Sequence, residues 1–193
     1  MKIFLDKSRL KTLTDTVLLV GIVLLVYNLA ILAGSDPEQF EPRTFSNTLI
    51  AYINAFITVF LYWSLFSAVV NYIPSLDIML FLLFLILLII LTLIPVANLL
   101  YLQNPSQGAD NFAVFTNIAP GVLLIIVMKF KRGSMEQLST KEYKYLITSL
   151  MVIPSVFFIS FILSFYNSFL STTIPLLIIP AFVAVGRKLH MNS

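Results

Sequence analysis

The stretch Arg9-Leu-Lys-Thr-Leu-Thr-Asp15, running into Thr16-Val-Leu-Leu-Val-Gly-Ile-Val-Leu-Leu-Val-Tyr27, decides how the chain is read. A basic start gives way to one acid, and that acid opens a nearly uninterrupted apolar run. Of nine carboxylates, Asp15 is the one that clearly sits on the threshold of a hydrophobic helix. A charge there is costly in lipid, so it should face protein or water, and it is a functional-site hypothesis by default.

Working outward, the whole chain has this character. Of its 193 residues, 59% are hydrophobic and 11% charged, and the mean hydropathy is +0.97. A soluble domain carries roughly 25% charged residues. Several segments also reach the roughly 20 residues that a helix needs to cross hydrocarbon. The composition predicts an all-α, polytopic membrane protein with little chain left for a soluble appendage. With no cysteine there are no disulfides, thiolate metal sites or cysteine nucleophiles. The single histidine, His190, rules out a histidine metal cluster within one chain.

Hydropathy and breakers predict six spans, at about 13–33, 48–73, 77–102, 110–128, 145–165 and 169–186. The transmembrane domain is thus 13–187, between a cytoplasmic N-terminal segment (1–12) and a cytoplasmic tail (188–193). A signal peptide is the rival for the first span, but the run is longer than an ordinary h-region and Asp15 interrupts its approach. Gly34-Ser-Asp-Pro37 and Pro74 close the first two spans, while Pro95, Pro120 and Pro154 fall inside later ones. The longest polar stretch, 129–144, carries Lys129, Lys131, Arg132, Lys141 and Lys144 and reads as a basic loop. Six spans put both termini, the 74–77 turn and this loop on one side, with eleven of the twelve Lys and Arg. That bias assigns both termini to the cytoplasm. The net charge of +3 follows from it and does not point to nucleic acid.

Chemistry at membrane depth is scarce. The polar residues available for burial include Asn54, Thr58, Asn98, Thr116 and Asn117, but no lysine or histidine could serve there as a base. A serine nucleophile needs such a base, so an enzyme is not expected and no cofactor is called for. The first helix offers something else. At 3.6 residues per turn, Val20, Leu24, Tyr27 and Ile31 share a face that Thr16 extends. Such a stripe is either ordinary packing or the lining of a narrow pore that gates by dewetting, since no carbonyl filter sequence is present. Asp15 is either a structural clamp, held by Arg9, Lys11 or a cap, or a pathway residue.

The motif Arg9-x-x-x-Leu13-Thr14-Asp15 resembles the Arg-x-x-x-Phe-Ser-Asp start of the transmembrane-protein-175 family of potassium channels (domain of unknown function 1211), of which this would be a divergent prokaryotic member. Trp63 in the second span, Pro95 in the third and the basic loop extend the likeness. The resemblance implies a homotetramer in a prokaryotic plasma membrane, passing potassium or another monovalent cation. It implies a pore lined by the first helices, with a constriction at Val20 and further layers at Leu24 and Tyr27. Arg9, Thr14 and Asp15 would brace the pore helix. Val23 stands where the family has a threonine linked to selectivity. Phe66 and Ser67 stand where a histidine usually follows the tryptophan. Two other classes fit the same residues, a proton-coupled or other secondary transporter using Asp15 and a non-conducting membrane scaffold.

Overall fold

The computed structural model describes residues 7–33, 42–103, 106–135, 138–166 and 174–190, and every regular element among them is helical. Six α-helices follow in order: α1 (Lys7–Ala33), α2 (Pro42–Tyr72), α3 (Ile78–Gln103), α4 (Gln107–Lys131), α5 (Thr140–Ser164) and α6 (Ile178–His190). Short 3₁₀ turns extend α4 (Arg132–Ser134) and precede α6 (Ile174–Leu177). The expected all-helical class is what the chain adopts. The cause is the solvent: hydrocarbon offers backbone N–H and C=O groups no partners, so a spanning segment must satisfy them internally.

Among the described residues four helices are long and apolar enough to cross a membrane: Leu49–Tyr72, Ile78–Leu100, Gly108–Ser134 and Thr140–Ser164. The last helix differs from the expected sixth span. With 13 residues α6 is about 20 Å long, short of a hydrocarbon core of about 30 Å. Pro175 lies in the preceding 3₁₀ turn and Pro180 in the first turn of α6, where a missing N–H costs no helical bond. Residues 167–173 lie outside the described residues.

Most of the expected basic loop at 129–144 is also helical. Ser139 caps α5 reciprocally with Glu142, its side chain accepting from the Glu142 N–H at 3.2 Å while its own N–H donates to the Glu142 carboxylate at 2.9 Å. That capping box satisfies two end donors and starts α5 five residues earlier than hydropathy alone suggests. Lys129 and Lys131 close α4, where cations complement the helix dipole. Arg132 donates to the Leu138 carbonyl at 3.0 Å and lies 4.4 Å over the Tyr143 ring, which closes the connection.

Helices α2 to α5 form the core. Tyr62 and Phe66 of α2, Phe84 and Ile94 of α3, Leu124 and Met128 of α4, and Leu150 and Ile153 of α5 are all buried. Lipid is as apolar as these side chains, so it is packing and interhelical hydrogen bonds that hold the bundle, not exclusion from water. Phe66 meets Phe84 edge-on with centroids 5.1 Å apart, a geometry worth about 0.5–1.5 kcal/mol beyond area.

Side-chain pairs gather five helix ends at one pole of the bundle. Lys11 of α1 donates to Asn71 of α2, and the Tyr72 hydroxyl donates to Glu142 of α5 at 3.2 Å. Lys131 of α4 reaches Asp77 at 2.7 Å, and Asp77 also caps α3 by accepting from the Leu80 N–H at 2.8 Å.

Candidate functional site

The first helix is packed on one side only. Leu10 and Thr14 are buried against the bundle, and Val17, Leu18, Gly21 and Ile22 are half-buried beside them. The partners are chiefly α2 and α3. The opposite arc is bare: Thr12 and Thr16 are exposed, and Leu19, Val23 and Tyr27 keep 61%, 58% and 62% of their surface. Those positions recur every three or four residues, so they form one continuous stripe. Of the residues expected to line a path, Tyr27 and Val23 lie on that stripe. Val20 and Leu24 belong to α1, but their side chains lie outside the described residues.

Two polar contacts one helical turn apart hold α1 to α2. Lys11 reaches Asn71, and Asp15 accepts a hydrogen bond from the Trp63 indole N–H at 2.7 Å. A neutral donor on an ionised acceptor is stronger than a neutral pair, and an indole N–H near the membrane needs such a partner. Lys11 and Asp15, four apart on α1, therefore each bond across to α2 instead of to one another. Trp63 also ends an aromatic ladder on α2. Tyr52 and Phe56 stack at 6.5 Å, Phe56 and Phe60 at 6.4 Å, and Phe60 tilts against Trp63 at 5.7 Å.

The other motif residues are placed differently. Thr14 is 1% exposed and donates its hydroxyl to the Leu10 carbonyl at 2.7 Å, one turn back in the same helix. Its proton thus stays within the helix, and the residue packs like a small apolar side chain. Arg9 is exposed, with no hydrogen bond or ion pair among the described residues. Structure brings Asp15 together with Trp63 and Asn71 together with Lys11; it does not bring Arg9 to Asp15 within the chain. Sequence reasoning passed over both α2 partners. The available signal was the one tryptophan, whose N–H needs an acceptor, on the helix that follows the one bearing Asp15.

Between α1, α2 and α3 lies a cavity of about 20 Å³, lined by Thr14, Gly21, Phe60, Leu91 and Pro95 among others. It has room for one water but an apolar wall, and such cavities stay dry. Among the described residues no three His, Cys, Asp or Glu side chains come together to hold a metal ion.

These features define a helical membrane protein whose first helix is braced at one end and unpartnered along its outer face. Residues 9–95, which run from the motif arginine through Pro95 of α3, match the family model of the endosomal/lysosomal potassium channel TMEM175. This is the match that a member of that family gives, and the family is one of channels, not of enzymes. The recognition drawn from Arg9, Thr14 and Asp15 therefore holds. No curated protein and no solved structure matches the chain.

Proposed function

We propose that the chain is one subunit of a monovalent-cation channel that favours potassium, with four copies arranged so that their first helices surround the pore. Each subunit would cross the membrane six times and keep both termini in the cytoplasm of a prokaryotic cell, the side favoured by the lysine and arginine bias. The observation that carries this reading is the bare arc of α1. At 100° per residue, positions 20 and 27 fall about 40° and 20° from Thr16 round the helix, and position 24 about 80°. A channel subunit leaves such a face unpacked because the lumen, not the bundle, lies beside it. Rings of Val20, Leu24 and Tyr27 would exclude water until the helices part, which is gating by dewetting. Family likeness over residues 9–95 supports the class of ion. Asp15 reads better as a brace than as a carrier's binding site, because the indole of Trp63 already engages it.

Potassium efflux from liposomes holding the purified protein tests the proposal. Flux should exceed that of empty vesicles, and Val20→Thr, which adds a hydroxyl at nearly unchanged volume, should raise it by wetting the constriction. Absence of potassium flux from both proteins would sink the reading. Saturable uptake abolished by Asp15→Asn would favour a carrier instead.

A further inference from the structure

Helices α4 and α5 pack against each other, and each also turns a stripe of apolar side chains away from the bundle. On α4 the exposed stripe includes Phe115, Val122 and Ile126, and on α5 it includes Met151, Phe158 and Ile162. Both sets are spaced by seven and then four residues, which keeps each on one helical face. On the outside of a helical membrane protein such a face meets acyl chains.

At one end both stripes run into a lysine. Lys129 stands seven residues beyond Val122 and Lys144 seven before Met151, so each lies only about 20° round its helix from an apolar residue of the stripe. Both lysines are exposed, and neither ammonium has a hydrogen bond or ion pair among the described residues. Two contacts set their depth. Lys131, two residues past Lys129, pairs with Asp77 at the start of α3, and Glu142, two before Lys144, accepts from Tyr72 at the end of α2. The lysines are therefore level with the ends of the apolar spans at Tyr72 and Ile78. Arg132 lies 4.4 Å over Tyr143, which draws the two helix ends together, and Phe130 beside Lys129 keeps 80% of its surface.

Two carboxylates of this rim are already engaged, Asp77 by Lys131 and the Leu80 N–H, and Glu142 by Tyr72 and the Ser139 N–H. Lys129 and Lys144 thus carry open charge at the edge of the hydrocarbon. A lysine so placed lays its stem along the apolar surface and lifts its ammonium to the headgroup level. The outer stripe of α3 makes the contrast: Met79, Leu82 and Ile86 are exposed, but at this pole the stripe ends beside Asp77 and meets no lysine of its own helix. We propose that the outer edge of α4 and α5 binds anionic phospholipids, with Lys129 and Lys144 each on a headgroup phosphate and Phe130 seated at the top of the acyl layer. A zwitterionic headgroup offers the same phosphate but brings its own cation, so the edge favours lipids of net negative charge. The site lies apart from α1 and does not depend on the channel reading.

The test is native mass spectrometry of the full-length protein released from micelles that hold equal amounts of phosphatidylglycerol and phosphatidylcholine. A lysine near an anionic surface is worth about a fivefold preference, and the wild type should retain phosphatidylglycerol by about that factor. Lys129→Gln and Lys144→Gln should each remove one favoured phosphatidylglycerol per subunit, and the double variant should hold the two lipids nearly alike. Both substitutions are at exposed sites, so Tm in phosphatidylcholine alone should not change. Lys7→Gln, at the start of α1, removes the same charge elsewhere and should leave the preference intact. A wild type without preference, a preference that survives in the double variant, or an equal loss with Lys7→Gln overturns the proposal. So does a double variant whose oligomer loses subunits, because the edge would then face another copy of the chain.

Discussion

Two glycines at similar depth in their helices meet opposite surroundings. An added Cβ at Gly121 of α4 would collide with Pro154 and press on Tyr62 and the α5 backbone, whereas at Gly21 of α1 it would meet nothing within 4 Å. In α2 to α5, each helix finds its neighbours inside the chain, and close approach is obtained by leaving a side chain out. In α1 one face finds such neighbours and the other finds none. Gly21 stands on the packed face of α1 and opens onto the small cavity lined by Phe60, Leu91 and Pro95, so α1 is seated on the bundle more loosely than α4 is seated on α5.

The sharpest way to break this comparison is to substitute both glycines alike. Gly121→Ala should destabilise the protein by about 1–3 kcal/mol, the usual cost of overpacking. Part of that loss comes from the Tyr62–Asn117 hydrogen bond, because the new methyl group displaces the phenol and cannot displace the Leu150 backbone. Gly21→Ala should instead stabilise by about 0.4–1 kcal/mol, through lower chain entropy in the unfolded state. Thermal unfolding in one detergent reads both. Equal losses would mean that the packed face of α1 is as tightly enclosed as the core.

A second substitution tests how α1 is held to the scaffold. Trp63→Phe keeps an aromatic ring beside Phe60 but removes the N–H that Asp15 accepts. Hydrogen bonds to charged groups contribute about 1.5–3 kcal/mol, and because Asp15 is exposed the loss should be nearer 1 kcal/mol. Asp15→Asn keeps an acceptor and should cost less. Protease sensitivity of the α1–α2 connection should rise with Trp63→Phe and change little with Asp15→Asn. No change with Trp63→Phe would show that α1 is positioned by its packed face alone.

How much of this was readable beforehand follows from what each level of structure depends on. The helical class and the long apolar helices rest on hydropathy and length, which are properties of a segment by itself. The extension of α5 back to Thr140 rests on the Ser139-x-x-Glu142 box, a local signal that a hydropathy reading of 129–144 overlooks. Within the expected sixth span the described residues divide at Pro175 and Pro180 into a 3₁₀ turn and α6, and 169–173 lie outside them. The Asp15–Trp63 and Lys11–Asn71 pairs depend on how α1 and α2 are rotated and slid against each other. Periodicity within either helix does not encode that relation. The Tyr62–Asn117 bond likewise joins two helices, and Asn117 was visible only as a polar residue without a place. One helix suffices to define a face, and of the face drawn from spacing Thr16 is exposed while Ile31 falls outside the described side chains. Tyr27 lies on it, and Val20 and Leu24 fall outside the described side chains.

The smallest predicted effect lies at the pole where the helix ends gather, and it asks whether the finished scaffold draws anything from surface charge. The Lys131 ammonium and the Leu80 N–H hold the Asp77 carboxyl below its usual range. A depressed carboxylate pKa means that its contribution is present above the unfolded value of about 3.9 and fades as pH falls through the folded one. Stability from this group should therefore be flat from neutral pH down to about 5 and decline only below about 4. With half the Asp77 side chain exposed, the ion pair contributes near the low end of about 0.2–1 kcal/mol. Asp77→Asn removes the charge but keeps a good cap for α3, so its deficit should be that small and should vanish in acid. Asp77→Ala also deletes the bond to the Leu80 N–H, so a further loss of about 1 kcal/mol should appear at neutral pH. Unfolding of the three proteins at neutral and acidic pH separates the two roles. A deficit for Asp77→Asn as large as that for Asp77→Ala would make the ion pair, and not the cap, what fixes the start of α3.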